Sequence, residues 1–467
     1  MNMQYELRIS GKHYRELRSH LFPGDNKESV AVALCGSFDL HNRKILLVHK
    51  LHLVPHDQCN VREEDLVEWP SHTLDSLLPL ADKKKFSVLK IHSHPTGYPQ
   101  FSKTDDRSDK NLFDSVFGWI DNVECHASAV MLPSGELFGR VIRPDLNFQS
   151  IAKISVCGDD IFKWGIAGQK NLHEEQILRT KQMFGEGTTT LLSNLRVGVV
   201  GCSGTGSPTI EQLVRLGIGE IVIVDPDRVE KKNLNRILNT TLEDAEKKRT
   251  KVAVLAKAIS SFGFGTKVFP IEKNLYDSVE AISLLASCDF IFGCVDSIDG
   301  RHLLNQVSTF YLVPYMDLGV KIIADGKGGI NQVCGNVHYI QPGGGSLKNR
   351  GVYTTEELRA IGLQRTNPEA YEEERKTGYV INVNVNSPAV ISLNMFASSL
   401  AVNEFLARVH PFKNEENEIS SIIRFSLSDN FIQRESDTVA DPYLIKFIGR
   451  GDMLPLLNMP ELSNEQI

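Results

Sequence analysis

The chain has 467 residues, 41% hydrophobic and 23% charged, the balance of a globular protein too long for one ordinary domain. A net charge of −7 with no Lys/Arg block gives no footprint for nucleic acid or an anionic membrane. The N-terminal stretch lacks an apolar signal core, no run reads as a membrane span, and eight scattered cysteines without a C-x-x-C pair point to a reducing cytoplasm.

Residues 28–150 alternate short apolar, β-branched runs with turns ("SVAVALCGSF", "RKILLVHKLHLVP", "FSVLKIHSHP", "HASAVMLPSGELFGRVI"), and helical spacing over 71–85 and 106–120 makes this an α+β sheet domain, set at 1–150. A polar stretch, 151–190, reads as a helical connector. From 191 to 467 the rhythm is strand, helix, strand: "LRVGVVG", "SPTIEQLVRLG", "EIVIVD", then "KVAVLAKAISSF", "KVFPI", "SCDFIFGCVD" and "VPYMDLGV". Units of that length imply a mainly parallel, Rossmann-like α/β sheet. The stretch "NSPAVISLNMFASSLAVNEFLARV" (386–409) reads as a packed helix.

Two imidazoles, His92 and His94, stand at i and i+2, so a strand would turn both to one side. Asp105 follows past a turning "PTGYPQ". Two imidazoles and a carboxylate leave a zinc ion one open position for water, the arrangement of catalytic sites. Ser102 could donate to a developing oxyanion. His-x-His-Pro, six residues, then Ser-x-x-Asp resembles the JAMM motif of the MPN/JAB metalloproteases. The resemblance adds an upstream glutamate, matched by Glu28 before "SVAVALCG", as general acid/base, and selects Asp105 over Asp106, which reads as the start of a helix. A metal-free relative of the same domain is the alternative.

"VVGCSGTGS" places Gly201, Gly204 and Gly206 between a strand and a helix, where backbone can approach phosphates. Asp225 ends the next strand, in position to hold a ribose, and Asp227 follows it. On these features alone a nicotinamide-dependent oxidoreductase remains open. Arg236 and Lys251 favour ATP cleavage, since cations absorb charge developing on pyrophosphate, and Asp296 could hold magnesium. The series "RTKQMFGEGTTTLLSNLRVGVVGCSGTGS", "IVDPDRVEKKNLNR", Lys251 and "CVDS" looks like the ThiF/MoeB/HesA group, relatives of ubiquitin-activating enzymes. That resemblance implies phosphate contacts from Asn233, Arg236 and Lys251, ribose binding by Asp225 and magnesium at Asp296. It also implies a homodimer through the adenylation domain, with Arg179, six residues before Gly185, reaching the partner's ATP. Cys202 reads as a packing residue.

Two departures stand out. Relatives bind a structural zinc through two C-x-x-C pairs, yet the matching segments, 341–349 and 440–447, contain no cysteine, so that zinc is expected to be absent. No cysteine follows Cys334, which puts a thioester intermediate in doubt. The resemblances together imply a bifunctional enzyme with zinc, ATP and magnesium as cofactors. It would trim and adenylate a ubiquitin-like or sulfur-carrier protein ending in Gly-Gly. A scaffold that binds such a protein without turnover is the alternative.

Overall fold

A computed structural model describes residues 3–120, 123–165, 174–325, 327, 329–376, 390–437 and 439–463. They fall into two compact units. One comprises Met1–Ile166, Thr309–Leu312 and Lys446–Ser463; the other comprises Ala167–Ser308, Val313–Ile445 and Asn464–Ile467.

The first unit runs β1 (Gln4–Ser10), α1 (Gly11–Leu21), β2 (Val30–Leu40), β3 (Arg43–Leu53), β4 (Val61–Arg62), β5 (Val67–Glu68), α2 (Leu78–Lys84), β6 (Ser87–Ser93) and α3 (Lys103–Trp119). It continues with β7 (His126–Met131), β8 (Leu137–Ile142), β9 (Phe148–Ser150), β10 (Lys153–Cys157) and β11 (Ile161–Trp164). Nine strands form one sheet in the order β11-β10-β1-β3-β2-β6-β7-β8-β9. β2 shows how the sheet is covered on both faces. Ala31 and Ala33 join the core with Leu17 and Leu21 of α1, while Val32 and Leu34 join Leu78 of α2 and Phe113 of α3. A central strand covered twice is a near-continuous apolar run, as "VAVAL" is. By the same alternation Val88, Lys90 and His92 of β6 share the face covered by α2 and α3.

The helix expected over 71–85 is a 3-10 turn, Ser71–Leu74, followed by α2, because Pro79 has no amide hydrogen to carry the first turn onward. Of the helical connector expected over 151–190, the first part is strand. β10 pairs parallel with β1, and β11 pairs antiparallel with β10. The tail segment 446–463 also belongs to the first unit. Gly449 and Gly451 (φ 62° and 63°) lie so close to β3 and β2 that a Cβ on either would meet the carbonyl of Val48 or Ser37. The Tyr311 hydroxyl donates to Asp452 (2.8 Å), and Arg8 donates to the Tyr311 carbonyl (2.9 Å).

The second unit contains α4 (Glu174–Asn194), β12 (Arg196–Val200), α5 (Gly206–Arg215), β13 (Glu220–Val224), α6 (Leu242–Glu246), α7 (Lys251–Phe262), β14 (Lys267–Ile271) and α8 (Val279–Ala286). Then come β15 (Phe290–Gly293), α9 (Ile298–Tyr311, whose end falls in the first unit), β16 (Tyr315–Ala324), β17 (Ile330–Ile340), α10 (Thr355–Thr366), α11 (Pro368–Lys376), α12 (Ile391–Val409), β18 (Ile422–Ser426) and β19 (Phe431–Glu435). The sheet order is β14-β13-β12-β15-β16-β17-β18-β19. The first five strands are parallel and the rest antiparallel. Strand order reverses between β12 and β15, and ligands of open α/β sheets bind at such a switch, beyond the strands' carboxyl ends.

Candidate metal and nucleotide sites

His92 closes the inward face of β6, and His94 follows the strand. The His94 amide donates to the Met131 carbonyl (3.0 Å), and the Ser93 amide donates to the Ser29 carbonyl (3.0 Å), tying the histidine segment to β7 and to the residue after Glu28. Glu28 is fixed from its other side by two bonds. Its amide donates to the Glu63 carbonyl (2.7 Å), and Arg62 Nε donates to the Glu28 carbonyl (3.0 Å). Arg62 carried no signal in the sequence, because its partners, the Glu28 carbonyl, Ser29 Oγ and Asp25, lie more than thirty residues away along the chain.

Ser102 and Asp105 form a capping box at the start of α3. The Asp105 amide donates to Ser102 Oγ (3.1 Å), and the Ser102 amide donates to Asp105 Oδ2 (2.7 Å). The Ser-x-x-Asp spacing thus sets the first helical turn and aims Asp105 at the histidines. Asp105 Oδ1 lies 2.9 Å from His92 Nε2, and Oδ2 lies 3.5 Å from His94 Nε2. The two Nε2 atoms are 3.2 Å apart. Glu28 Oε1 stands 3.9 Å from His94 Nε2, and the ligand atoms of Glu28, His92 and His94 all lie within 4.8 Å of one another. All four side chains are buried.

This set fits a zinc ion. Ligand atoms on a tetrahedron with bonds near 2.0–2.1 Å are about 3.3 Å apart, close to the spacings found. His94 Nδ1 donates to the Tyr98 carbonyl (2.8 Å), which leaves its Nε2 lone pair facing the cluster. Burial lowers the pKa of His92, so its neutral, ligating form is favoured. Burial would raise Asp105, but the two adjoining imidazoles and the Ser102 amide outweigh it and hold the carboxyl well below its usual range. Glu28 is pushed up to about 7, chiefly by burial; His94 opposes the shift and Asp105 adds to it. A cavity of about 340 Å³ opens beside Glu28, His92 and Asp105, bounded by Asp65, Glu68 and Trp69 from the β4–β5 side and by Arg107 and Asn111 of α3.

Behind the cluster, Asp109 is fully buried one turn beyond Asp105. Lys90 Nζ pairs with its Oδ1 (2.5 Å) and Arg140 Nη2 with its Oδ2 (2.7 Å). Arg140 also pairs with Asp106 and packs against the rings of Phe101 and Phe148. This network ties α3 to β6 and β8.

In the second unit the glycine loop lies at the switch between β12 and β15. Gly201 has φ 89°, and a Cβ there would meet the Cys294 carbonyl; a Cβ on Gly206 would meet the Gly201 carbonyl. The amides of Gly204, Thr205 and Gly206, at the start of α5, have no hydrogen-bond partner among the described residues. Asp225 is buried at the end of β13. Its Oδ2 accepts from the Cys202 amide (2.7 Å) and its Oδ1 from the Asp227 amide (2.9 Å), while burial raises its pKa. Lys251 is buried and reaches Asp227 (2.7 Å) and Asp225 (3.4 Å). Arg236 donates to the Lys232 carbonyl (3.0 Å), with its Cδ 3.4 Å from where a Gly204 Cβ would stand. Asn233 is a cap: its Oδ1 accepts from the Glu230 amide (3.1 Å). Asp296 is exposed just beyond β15. Arg179 is exposed on α4 and donates to Gln182 (3.0 Å), ahead of the break at Gly185.

Cys202 is fully buried, and burial lifts its thiol pKa well above the ordinary value; Cys294 is likewise raised to about 12. Neither is a ready thiolate. Where the two C-x-x-C pairs would stand, the segments 341–349 and 440–447 do meet, through polar groups. Ser346 Oγ donates to Asp441 (2.5 Å), the Asp441 amide donates to the Gly344 carbonyl (3.0 Å), and Arg350 pairs with the nearby Asp437 (2.6 Å). Residues 377–389, part of the cysteine-free sequence after Cys334, lie outside the described residues.

The ThiF family model matches residues 173–424, and the chain belongs to the ThiF family. A second model, prokaryotic homologs of the JAB domain, matches residues 10–138, so a JAB-type domain precedes the ThiF domain. The chain is 34% identical over 129 residues to the SAMP-activating enzyme E1 of Haloferax volcanii, covering 28% of this chain and 46% of that protein. It is 30% identical over 138 residues to a ubiquitin-activating enzyme E1-like protein of Saccharomyces cerevisiae (29% and 21%). With the adenylyltransferase and sulfurtransferase MOCS3 of Danio rerio it shares 35% over 116 residues (25% and 24%). The matches span less than half the length of each of these relatives. Among solved structures, E. coli MccB with ATP superposes with a TM-score of 0.42 at 16% identity, covering 60% of this chain and 76% of that one. No helix among the described residues is long and apolar enough to cross a membrane.

Proposed function

We propose that the protein acts twice on one ubiquitin-like or sulfur-carrier protein ending in Gly-Gly. The JAB domain hydrolyses a peptide or isopeptide bond after the terminal glycine, and the ThiF domain adenylates the carboxylate so exposed. Joining the two on one chain raises the effective concentration of each site for the other's product.

The observation that carries the first activity is the convergence of His92, His94 and Asp105, with Glu28 beside them at the cavity. Zinc, when bound, supplies Lewis acidity and a water acidic enough to attack at neutral pH. His92, His94 and Asp105 hold it, and the Tyr98 carbonyl keeps the His94 ring oriented. Glu28 takes a proton from the attacking water and returns it to the leaving amine, a role suited to a carboxyl near neutrality. The oxygen of Ser102 accepts from the Asp105 amide, so its hydroxyl hydrogen is left to donate to the substrate carbonyl oxygen. The cavity gives an extended tail a path to these groups.

For the second activity, family membership and the free amides at the glycine loop support ATP as the ligand. Gly201, Gly204 and Gly206 let the phosphates approach the backbone. Asp225 holds the ribose, with Asp227 beside it; Asn233, Arg236 and Lys251 serve the phosphates, and Asp296 holds magnesium. A carboxylate oxygen of the carrier attacks the α-phosphorus, the α–β bridging P–O bond breaks, and pyrophosphate leaves. Arg179 of a second copy completes the site in a homodimer that works in the cytoplasm. With Cys202 and Cys294 disarmed by burial, the adenylate passes directly to an external thiol, sulfide donor or amine.

Carrier-dependent isotope exchange between pyrophosphate and ATP, run beside cleavage of a carrier with a C-terminal extension, tests both halves. We expect about one zinc per chain, exchange only with the trimmed carrier, and no reducible enzyme–carrier adduct on a non-reducing gel. Cleavage without exchange for any Gly-Gly carrier would rule out the coupled reading, and a thiol-sensitive adduct would rule out direct transfer.

A further inference from the structure

α12 crosses the glycine loop. Ser398 Oγ donates to the Thr205 carbonyl (2.7 Å), which pins this helix to the start of α5. One turn earlier on the same face stands Asn394, 2% exposed, whose Nδ2 has no hydrogen-bond partner among the described residues. It faces Gly204 so closely that a Cβ on that glycine would collide with it, and Arg236 flanks the same glycine. A buried amide nitrogen without an acceptor is costly, and such groups are nearly always satisfied by something. Here it stands against the loop whose own Gly204, Thr205 and Gly206 amides also have no partner among the described residues. A carboxamide nitrogen and three main-chain amides at the start of a ten-residue helix therefore converge, all donors, with the Arg236 side chain alongside. The ligand that satisfies them carries several acceptor oxygens and negative charge, as a phosphate group does.

We infer that Asn394 is a nucleotide-binding residue, donating from Nδ2 to a phosphate oxygen seated on the glycine loop. The inference rests on the adenylation reading and adds to it a contact from α12. The group read is the phosphate, so the base and ribose are indifferent to Asn394. The side chain also accounts for glycine at 204, since any larger residue would displace it.

The test uses the full chain and measures binding of ATP·Mg, AMP and adenosine by calorimetry, with thermal unfolding in the absence of nucleotide. Asn394→Ala should weaken ATP and AMP about tenfold, as for one hydrogen bond to a charged acceptor. Asn394→Asp, close in shape but without the donor and negatively charged, should weaken both by about a hundredfold or more. Adenosine should bind all three proteins alike, and the nucleotide-free melting temperature of Asn394→Ala should not fall, because an unsatisfied buried donor has been removed. Equal losses for adenosine and ATP, or wild-type ATP affinity in both variants, would overturn the inference. A fall in nucleotide-free stability with unchanged phosphate selectivity would make Asn394 a packing residue and overturn it too. Failure of the wild-type protein to bind ATP·Mg is a different result, and would overturn the adenylation reading together with this one.

Discussion

In the first unit four buried side chains from three segments meet at a point, whereas in the second the residues expected to serve the nucleotide are engaged with separate neighbours or face solvent. His92, His94 and Asp105 already stand at the spacings of a metal's ligands. Lys251 is held by two aspartates, Asn233 caps a turn, Arg236 bonds to its own segment, and Asp296 faces solvent. A metal site tolerates errors of only tenths of an ångström, so its ligands must be set by the fold. A nucleotide site built on a glycine loop takes its first contacts from rigid backbone, and long side chains can exchange partners as the phosphates arrive. Preorganisation lies in the side chains in one case and in the main chain in the other.

Ligand removal should separate the two most sharply. His92→Ala or Asp105→Ala should take zinc content and peptide cleavage to background while pyrophosphate exchange with an already trimmed carrier persists, measured by metal analysis and paired assays. If exchange fell equally, the two sites would not be independent and the contrast would break. Asp296→Ala and Arg236→Ala should lower exchange by about 10²–10³-fold, the scale of losing one charge-stabilising contact in a transition state. Zinc content should stay unchanged.

The buried Asp109 sharpens the claim that side-chain preorganisation in the first unit is bought with buried charge. Asp109→Ala leaves Lys90 and Arg140 without their shared partner, and should cost about 3–5 kcal/mol in denaturant unfolding. Breaking an exposed pair of the second unit, such as Lys247 with Glu243, should leave the unfolding free energy nearly unchanged.

A smaller effect, shared by both units, is acid sensitivity. Burial lowers His126 to about 3 and His13 to about 4 in the first unit, and His338 to about 3 in the second. In the unfolded chain each titrates near 6.5. Between that value and the folded one the unfolded state binds the extra proton, so the stability is full above pH 6.5 and is lost as pH falls. Each such histidine should cost about 2 kcal/mol between pH 6.5 and 5. His126 is the clearest case: its Nδ1 accepts from the Val88 amide, and it packs between Phe113 and Phe117. Equal unfolding free energies at pH 6.5 and 5 would contradict this.

Much of each site was legible because its determinants are local. The i, i+2 spacing of His92 and His94 fixes their common face on any strand, and Ser102-x-x-Asp105 is a capping box in any helix. The capping role itself was missed, since the same residues read equally well as chemistry. Glycines at 201, 204 and 206 between strand and helix predicted the loop, because only a missing Cβ permits those approaches. The roles expected of Asn233 and Lys251 were harder to place: their present partners, Glu230, Asp225 and Asp227, are set by packing and not by spacing.

The sequence by itself determined which chemistries were possible: the ligand types, the glycine loop, the absence of cysteine from 341–349, 440–447 and everything after Cys334. Tertiary structure alone decided what those residues meet. Strands β10 and β11 join the first sheet because Ile154 and Val156 find its core, and the tail joins the same unit because Gly449 and Gly451 permit backbone contact with β3 and β2. Ser346 and Asp441 close by hydrogen bonding the place where cysteines were expected, and Asn394 comes to rest on Gly204. The physical reason is one of range. Side-chain direction follows from the period of a strand or the first turn of a helix, a few residues at a time. Contacts between distant segments depend on which surfaces exclude water together, and no local pattern encodes that pairing.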